Sequence, residues 1–129
     1  MKIEICTEFY TSKLLRSNHE KIYVFGDNMK AFGKGGQAII RDEPNAFGVP
    51  TKRYPSKDSW AYFSDKEDER LAVLSSLRKL YVIGQSKVIV FPSGGIGTGL
   101  AKMNEKSPKI FEQMNGILKE FFGFDNVNL

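Results

Sequence analysis

Residues 88–99 read VIVFPSGGIGTG, a short run of β-branched and aromatic residues that ends in a glycine-rich loop. Residues 22–36 show the same order, because IYVFGDN is followed by the glycine cluster GKGG at residues 33–36. Continuous apolar runs of this length are typical of central strands in a sheet that is covered on both faces. The two stretches therefore predict two neighbouring central strands, each followed by a glycine loop.

The remaining elements alternate with these strands along the chain. Short β-rich or alternating segments predict strands at residues 2–7, 21–25, 46–54 and 87–91. Apolar residues at helical spacing and capping residues predict helices from residue 11 or 12 to 19, over 37–42, over 66–83, and from 107 or 108 to about 122. We expect Asp65 and Ser107 to cap the last two helices and the segment after Gly123 to be frayed or a short edge strand. The pattern indicates a layered α/β protein.

Length and composition limit the classes of protein. A chain of 129 residues fits one domain over residues 1–129, with 41% hydrophobic and 26% charged residues. Cys6 is the single cysteine and His19 the single histidine, which excludes an internal disulfide and a structural zinc site. Without a signal peptide or a long apolar run, the sequence predicts a cytoplasmic protein with no membrane contact, no metal and no cofactor. The net charge of +4 favours an anionic partner and gives only weak support for nucleic acid.

The glycine loops are the candidate binding site. Glycine lets a ligand approach the backbone closely, and successive amides in such a loop bind phosphate oxygens. In open α/β sheets, ligands bind outside the carboxyl ends of the strands. The predicted ligand-binding residues are Gly26, Gly33, Lys34, Gly35 and Gly36 in the first loop and Ser93, Gly94, Gly95, Ile96, Gly97, Thr98 and Gly99 in the second.

Neither loop has the spacing of a common phosphate motif. The P-loop pattern G-x-x-x-x-G-K-[ST] is absent, and so is the G-x-G-x-x-G pattern of dinucleotide folds. The strand ending in FGDN, the GKGG cluster and the GGIGTG loop instead resemble the two ligand loops of macro-domain proteins. The VPTK segment at residues 49–52 and the GLA segment at 99–101 are similar to those of a compact, often phage-encoded, macro-like group.

This resemblance has consequences for fold and function. It implies a three-layer α/β/α domain with a mixed central sheet that binds ADP-ribose or a related nucleotide. Asn28 would contact the distal ribose, while Gly35, Gly36 and the amides of residues 95–99 would hold the diphosphate. It favours removal of ADP-ribose from a protein or nucleic acid, with Asn28 and Asp27 as catalytic residues that orient the ribose and a water. The alternative is binding of the ligand without catalysis. The chain departs from the family pattern in being shorter and in carrying Gly26-Asp27-Asn28 in place of N-A-A-N.

Several of these residues also have a purely structural interpretation. Asp27 and Asn28 favour Asx turns, in which the side chain bonds the nearby backbone. Lys34 is equally suited to solvent, and the hydroxyls of Ser93 and Thr98 can close a turn. Arg41 could reach a phosphate or form a salt bridge with Glu43 or another nearby acid. The aromatic patch of Trp60, Tyr62 and Phe63 could stack on an adenine or cover a sheet edge, and the sequence assigns no role to residues 55–64.

Two other functions remain open. PSGGIGT at residues 92–98 is close to the P-G-G-x-G-T of Rossmann-like nucleotide phosphoribohydrolases, but Ser93 is inserted and the expected acid after the threonine is missing. A non-catalytic host-interaction protein would use the basic charge and the aromatic patch as its contact surface. The resemblance to macro domains favours an ADP-ribose-type nucleotide or an ADP-ribosylated macromolecule as the partner.

Overall fold

Strands and helices alternate along the chain in the structure, a computed structural model that describes residues 1–127. The strands are β1 (Ile3–Cys6), β2 (Lys21–Asn28), β3 (Ala46–Lys52) and β4 (Val88–Pro92). The α-helices are α1 (Ser12–Ser17), α2 (Glu67–Ile83), α3 (Met103–Lys106) and α4 (Pro108–Phe122), and two 3₁₀ helices lie at Gly36–Ile40 and Ser59–Ala61. The predicted α/β class is confirmed.

The four strands form one sheet in the order β1-β4-β2-β3. Every pair of neighbours in this sheet is parallel, so the expected mixed sheet is wrong. The strands are parallel because of their connections. Between successive strands a helical segment returns the chain to the end of the sheet at which the preceding strand began. All four carboxyl ends consequently lie at the same edge.

Helices cover both faces of the sheet. Successive side chains of a strand point to opposite faces. In β2, Tyr23 and Phe25 pack with Leu15 of α1 and Ile40 of the first 3₁₀ helix. Val24, between them, belongs to the larger cluster that includes the apolar faces of α2 and α4. This two-sided burial explains why β2 and β4 are continuous apolar runs in the sequence.

The segment after α4 is part of the core. Phe124 is 4% exposed and stacks on Phe91 of β4, with ring centroids 4.3 Å apart and planes 4° apart. Asn126 is 1% exposed. The expectation of a frayed end or an edge strand is therefore wrong as far as residue 127, because an aromatic side chain and a buried amide fix the segment against β4 and the loop that follows it.

Helix α4 takes its N-terminal cap from the loop before α2. Oδ1 of Asp65 accepts hydrogen bonds from Ile110 N at 2.9 Å and from the Ser107 hydroxyl at 2.7 Å, and Oδ2 accepts one from Lys109 N. Burial acts to raise the pKa of Asp65, but these hydrogen bonds outweigh it and hold the pKa below its ordinary value. The start of α2 is held instead by Glu69, whose Oε1 accepts from Lys66 N at 3.0 Å. No helix within residues 1–127 has both the length and the apolar character needed to cross a membrane.

Candidate functional site

The two glycine loops meet at the carboxyl edge of the sheet, because β2 and β4 are hydrogen-bonded neighbours. A cavity of about 930 Å³ opens between them. The approach is close: a Cβ placed on Gly26, at the end of β2, would lie 3.8 Å from the amide nitrogen of Gly97 in the second loop. The volume is within the range of small-molecule and cofactor sites, which is roughly 300–1,000 Å³.

Gln37 joins the two loops. Its Oε1 accepts a hydrogen bond from Gly26 N at 2.9 Å, and its Nε2 donates to the carbonyl of Gly95 at 3.0 Å. Gln37 lies in the 3₁₀ helix Gly36–Ile40, which follows the first glycine cluster directly. One side chain thereby sets the distance between the end of β2 and the second loop, and it is part of the cavity lining.

The second loop is held in place by hydrogen bonds to Asn126. Ile96 N donates to Oδ1 of Asn126 at 2.8 Å, and Nδ2 of Asn126 donates to Ile96 O at 2.9 Å. Gly95 has a φ of +79°, and a Cβ there would lie 2.4 Å from the carbonyl oxygen of Asn126. Only glycine combines this backbone conformation with this approach, so the loop depends on the C-terminal segment for its shape.

Unused backbone donors line the cavity on both sides. Through residue 127, the amides of residues 33–36 and 97–101 donate to no acceptor in the protein. Glycines from both ranges, Gly33, Gly35 and Gly36 in the first and Gly97 and Gly99 in the second, are part of the cavity wall. Runs of free amides on a concave surface are suited to the oxygens of an anion.

The charged side chains of the cavity are mainly basic. Four lysines line it, namely Lys34, Lys52, Lys57 and Lys102. Lys34 is paired with Asp42, whereas among residues 1–127 no carboxylate lies within salt-bridge distance of the other three. Burial, and then the positive charge of Lys57, lower the pKa of Lys52. The cavity therefore favours a negatively charged ligand.

Asp27 lines the cavity, but its carboxylate is already neutralised. Arg41 donates to both of its oxygens, at 2.9 and 2.5 Å, and the side chains of this pair are only 10% and 14% exposed. Arg41 also donates from Nε to Gly33 O at 2.8 Å, which ties the first loop to the end of β2. Gly48 of β3 leaves room for the carboxylate, since a Cβ there would lie 2.5 Å from Asp27 Oδ2. Of the interpretations open for Arg41, the structure shows a salt bridge, with Asp27 rather than Glu43.

Asn28 is used by the backbone of the first loop. Its Nδ2 donates to Phe32 O at 2.8 Å, and its Oδ1 accepts from Lys30 N at 3.1 Å. The side chain is 8% exposed and lies at the cavity wall. These bonds form the Asx-type turn that the sequence left open as the alternative to ribose contact. In this geometry Asp27 and Asn28 shape the loop: the Asp27 carboxylate is paired with Arg41, and both polar atoms of the Asn28 side chain bond the backbone.

The structure brings most of the predicted ligand residues together. The cavity is lined by Gly26, Asp27, Asn28, Gly33, Lys34, Gly35, Gly36, Gly95, Gly97 and Gly99. Four predicted residues lie outside its lining, namely Ser93, Gly94, Ile96 and Thr98. The side chain of Ile96 is in the core, and the Thr98 hydroxyl donates to Gly94 O at 2.7 Å, which closes the turn. Within residues 1–127 no group of His, Cys, Asp or Glu side chains is arranged to hold a metal ion.

The sequence of this chain matches one protein family over most of its length. Residues 5–117 match a family described as a family of unknown function (DUF7831). The chain belongs to DUF7831. The match includes both glycine loops and all four strands except the first residues of β1. No curated protein and no solved structure matches the chain.

One wall of the cavity in this DUF7831 chain is formed by residues that no sequence pattern marks as part of a site. The loop after β3, to which no role was assigned, contributes Pro55, Ser56 and Lys57. Tyr62 lines the same wall, and Lys52 Nζ lies 4.5 Å from the centre of its ring. Of the aromatic patch expected near it, Phe63 is 1% exposed and belongs to the core, while Trp60 is exposed and lies outside this cavity. A polar loop of this kind carries no periodic pattern, so the sequence gives no sign that it lines the cavity.

Proposed function

We propose that the cavity binds ADP-ribose or a related nucleotide and that its two glycine segments hold the diphosphate. The observation that carries this proposal is that both loops line one cavity with amides that have no acceptor among residues 1–127. Three lysines of the same cavity form no salt bridge in that range. A diphosphate offers several acceptor oxygens and two negative charges, which fit this set of donors. The cavity volume of about 930 Å³ supports a ligand larger than inorganic phosphate.

The choice of ADP-ribose among nucleotides comes from the sequence resemblance. The FGDN, GKGG and GGIGTG segments resemble the ligand loops of macro-domain proteins, and we propose a macro-like mode of binding on this basis. The all-parallel sheet does not follow the mixed sheet that the resemblance implies. We also propose a cytoplasmic location, because the single cysteine, Cys6, is typical of a protein of a reducing compartment.

Binding is favoured over hydrolysis of ADP-ribosyl groups. The residues expected to position a water, Asp27 and Asn28, are engaged by Arg41 and by the backbone of the first loop. A general base must lie within hydrogen-bond reach of the attacking water, and the Asp27 carboxylate instead bonds Arg41 through both oxygens. The proposed function is therefore nucleotide recognition, with any turnover requiring that the Asp27–Arg41 pair first separate.

A thermal-shift series followed by calorimetry tests the proposal. ADP-ribose at 100 times its dissociation constant should stabilise the fold by about 2.7 kcal/mol, which raises the melting temperature by several degrees. NAD and AMP in the same series show which part of the ligand is recognised, and ribose without phosphate serves as the control. No stabilisation by any of the phosphate-bearing ligands at millimolar concentration would contradict the proposed function.

A further inference from the structure

A row of aromatic side chains leads away from the rim of the cavity. Phe32, which lines the cavity, contacts Tyr54 edge to face with ring centroids 5.0 Å apart, and Tyr54 contacts Trp60 at 5.3 Å. Phe32 is 44% exposed and Trp60 is 58% exposed. We refer to Phe32, Tyr54 and Trp60 as the aromatic ridge. Neighbouring exposed rings of this size indicate a contact surface.

A second, smaller cavity lies beside the aromatic ridge. It has a volume of about 210 Å³ and is lined by Met29, Lys30, Arg53, Tyr54 and Trp60. Arg53 is paired with Asp68 and Glu69, both at 2.7 Å, whereas Lys30 forms no salt bridge within residues 1–127. A small space lined by two packed aromatic side chains and a lysine is suited to a flat ring that is attached to a negatively charged group.

A lysine cluster surrounds Tyr62, which follows the segment that carries Tyr54 and Trp60. Lys52 Nζ and Lys106 Nζ lie 4.5 and 5.4 Å from the centre of the Tyr62 ring. Lys57 and Lys102 are exposed on the adjoining cavity wall. In the described chain, residues 1–127, none of these four lysines forms a salt bridge. Four cations with no fixed counter-charge favour a partner that carries several negative groups.

We propose that the aromatic ridge and the lysine cluster together bind single-stranded nucleic acid beside the nucleotide cavity. Bases would stack on the exposed rings of the ridge, and phosphates would be neutralised by the lysines, which is how proteins bind single strands without reading their sequence. A duplex hides the faces of its bases and would leave the ridge unused. An acidic peptide would satisfy the lysines but offers no rings to stack on Phe32 and Trp60. This surface goes beyond the proposed function, because Tyr54, Trp60 and Lys106 lie outside the lining of the nucleotide cavity.

Fluorescence anisotropy with a labelled oligothymidylate of about 12 nucleotides tests the proposal, since small strand-binding domains cover roughly 4–16 nucleotides. We expect the single strand to bind more tightly than a duplex of equal length and than a polyglutamate peptide of equal charge. Trp60→Ala should weaken binding about fivefold or more through the loss of stacking. The double variant Lys30→Gln/Lys106→Gln should reduce the slope of log affinity against log salt concentration by about 1.4, or 0.7 for each lysine.

The controls are exposed residues of the same types on α2 and α4. Phe121→Ala should leave oligonucleotide affinity unchanged, as should Lys79→Gln/Lys119→Gln. Equal effects of Trp60→Ala and Phe121→Ala, or polyglutamate binding as tight as that of the single strand, would overturn the proposal. If Trp60→Ala does not fold, the lysine double variant decides through its salt slope.

Calorimetry with ADP-ribose separates this proposal from the proposed function. Lys30 and Lys106 lie outside the lining of the nucleotide cavity, so their double variant should bind ADP-ribose like the parent protein. Oligonucleotide binding without ADP-ribose binding would refute the nucleotide cavity and support the surface. ADP-ribose binding without oligonucleotide binding would refute the surface alone.

Discussion

Asp27 and Arg41 show what single residues contribute to this site. Their ion pair is largely buried, and Arg41 also bonds the carbonyl of Gly33, so the pair connects β2 to the first loop. Removing one partner leaves the other as an uncompensated charge in a poorly hydrated place, which is costly. The pair is thus expected to stabilise the fold through the shape of the loop.

Replacement of Asp27 by Asn tests this structural role. We expect Asp27→Asn to lower the free energy of unfolding by about 3 kcal/mol, measured by urea denaturation. Arg70→Gln is the matched control, because its pair with Glu67 is exposed and such pairs contribute less than about 1 kcal/mol. If both variants lose the same stability, the Asp27–Arg41 pair is not the structural link described above.

The residues that form the site were easier to predict from the sequence than the residues with which their side chains interact. Glycines after apolar runs predicted both loops, because the need for close approach leaves few other residues possible. The partner of Asp27 was not predictable, since Glu43 is nearer to Arg41 along the chain but Asp27 is nearer in space. Glu43 is held instead by Arg16 at 2.6 Å. Ion pairs depend on how strands and helices pack, which no local pattern records.

At the scale of elements, the cap of α4 is a tertiary contact. Local rules assigned Asp65 to α2 and Ser107 to α4, yet Asp65 lies in a left-handed conformation, with φ of +61°, and reaches the first turn of α4. The long helices themselves were predicted to within a residue or two at their starts, because apolar spacing and proline at Pro108 are local properties. The parallel order of the strands was not, since strand pairing is set by long-range contacts.

The cap also predicts a dependence of stability on pH. The folded pKa of Asp65 is lowered, so its contribution is present above the unfolded pKa of about 3.9 and is lost as the pH falls through the folded value. Asp65→Asn should therefore cost about 1 kcal/mol at neutral pH, and the difference from the parent should shrink below about pH 4. Urea unfolding of the parent and of Asp65→Asn, at neutral pH and below about pH 4, measures the difference in stability.

The control for this experiment is Glu112→Gln, at an exposed position of α4. This variant should differ little from the parent at either pH, because exposed substitutions away from caps and ion pairs usually change stability by less than about 0.5 kcal/mol. A cost of Asp65→Asn that is the same at acid and neutral pH would show that the carboxylate charge does not support α4.

At the scale of the whole molecule, the C-terminal segment supports the binding loop. Asn126→Ala would leave the buried Ile96 N–H without its acceptor, at a cost of about 2 kcal/mol in the free energy of unfolding. Because the second loop also loses its hydrogen bonds to the Asn126 side chain, nucleotide affinity should fall as well. Urea denaturation and calorimetry measure the two effects, with the exposed Asn104→Ala as the control. Equal stability of the two variants would contradict the role of Asn126.

Because the second loop depends on the C-terminal segment for its shape, the glycine chosen to test ligand binding must lie away from that contact. Gly95→Val would force a side chain against the carbonyl of Asn126 at a positive φ, so lost binding could not be separated from lost structure. Gly35 is different: it lines the cavity, its φ is −78°, and no atom lies within 4 Å of an added Cβ. Gly94 has equal room but lies outside the cavity lining, which makes Gly94→Val a matched control.

Calorimetric titration of Gly35→Val and Gly94→Val with ADP-ribose tests the central claim most directly. Valine at position 35 places two methyl groups at the cavity wall and blocks the approach of phosphate oxygens to the backbone. We predict that both variants melt near the parent temperature, that Gly94→Val binds like the parent, and that Gly35→Val binds at least tenfold more weakly, a loss of about 1.4 kcal/mol. A folded Gly35→Val protein that binds ADP-ribose as tightly as Gly94→Val would contradict the account of the glycine loops as the phosphate site.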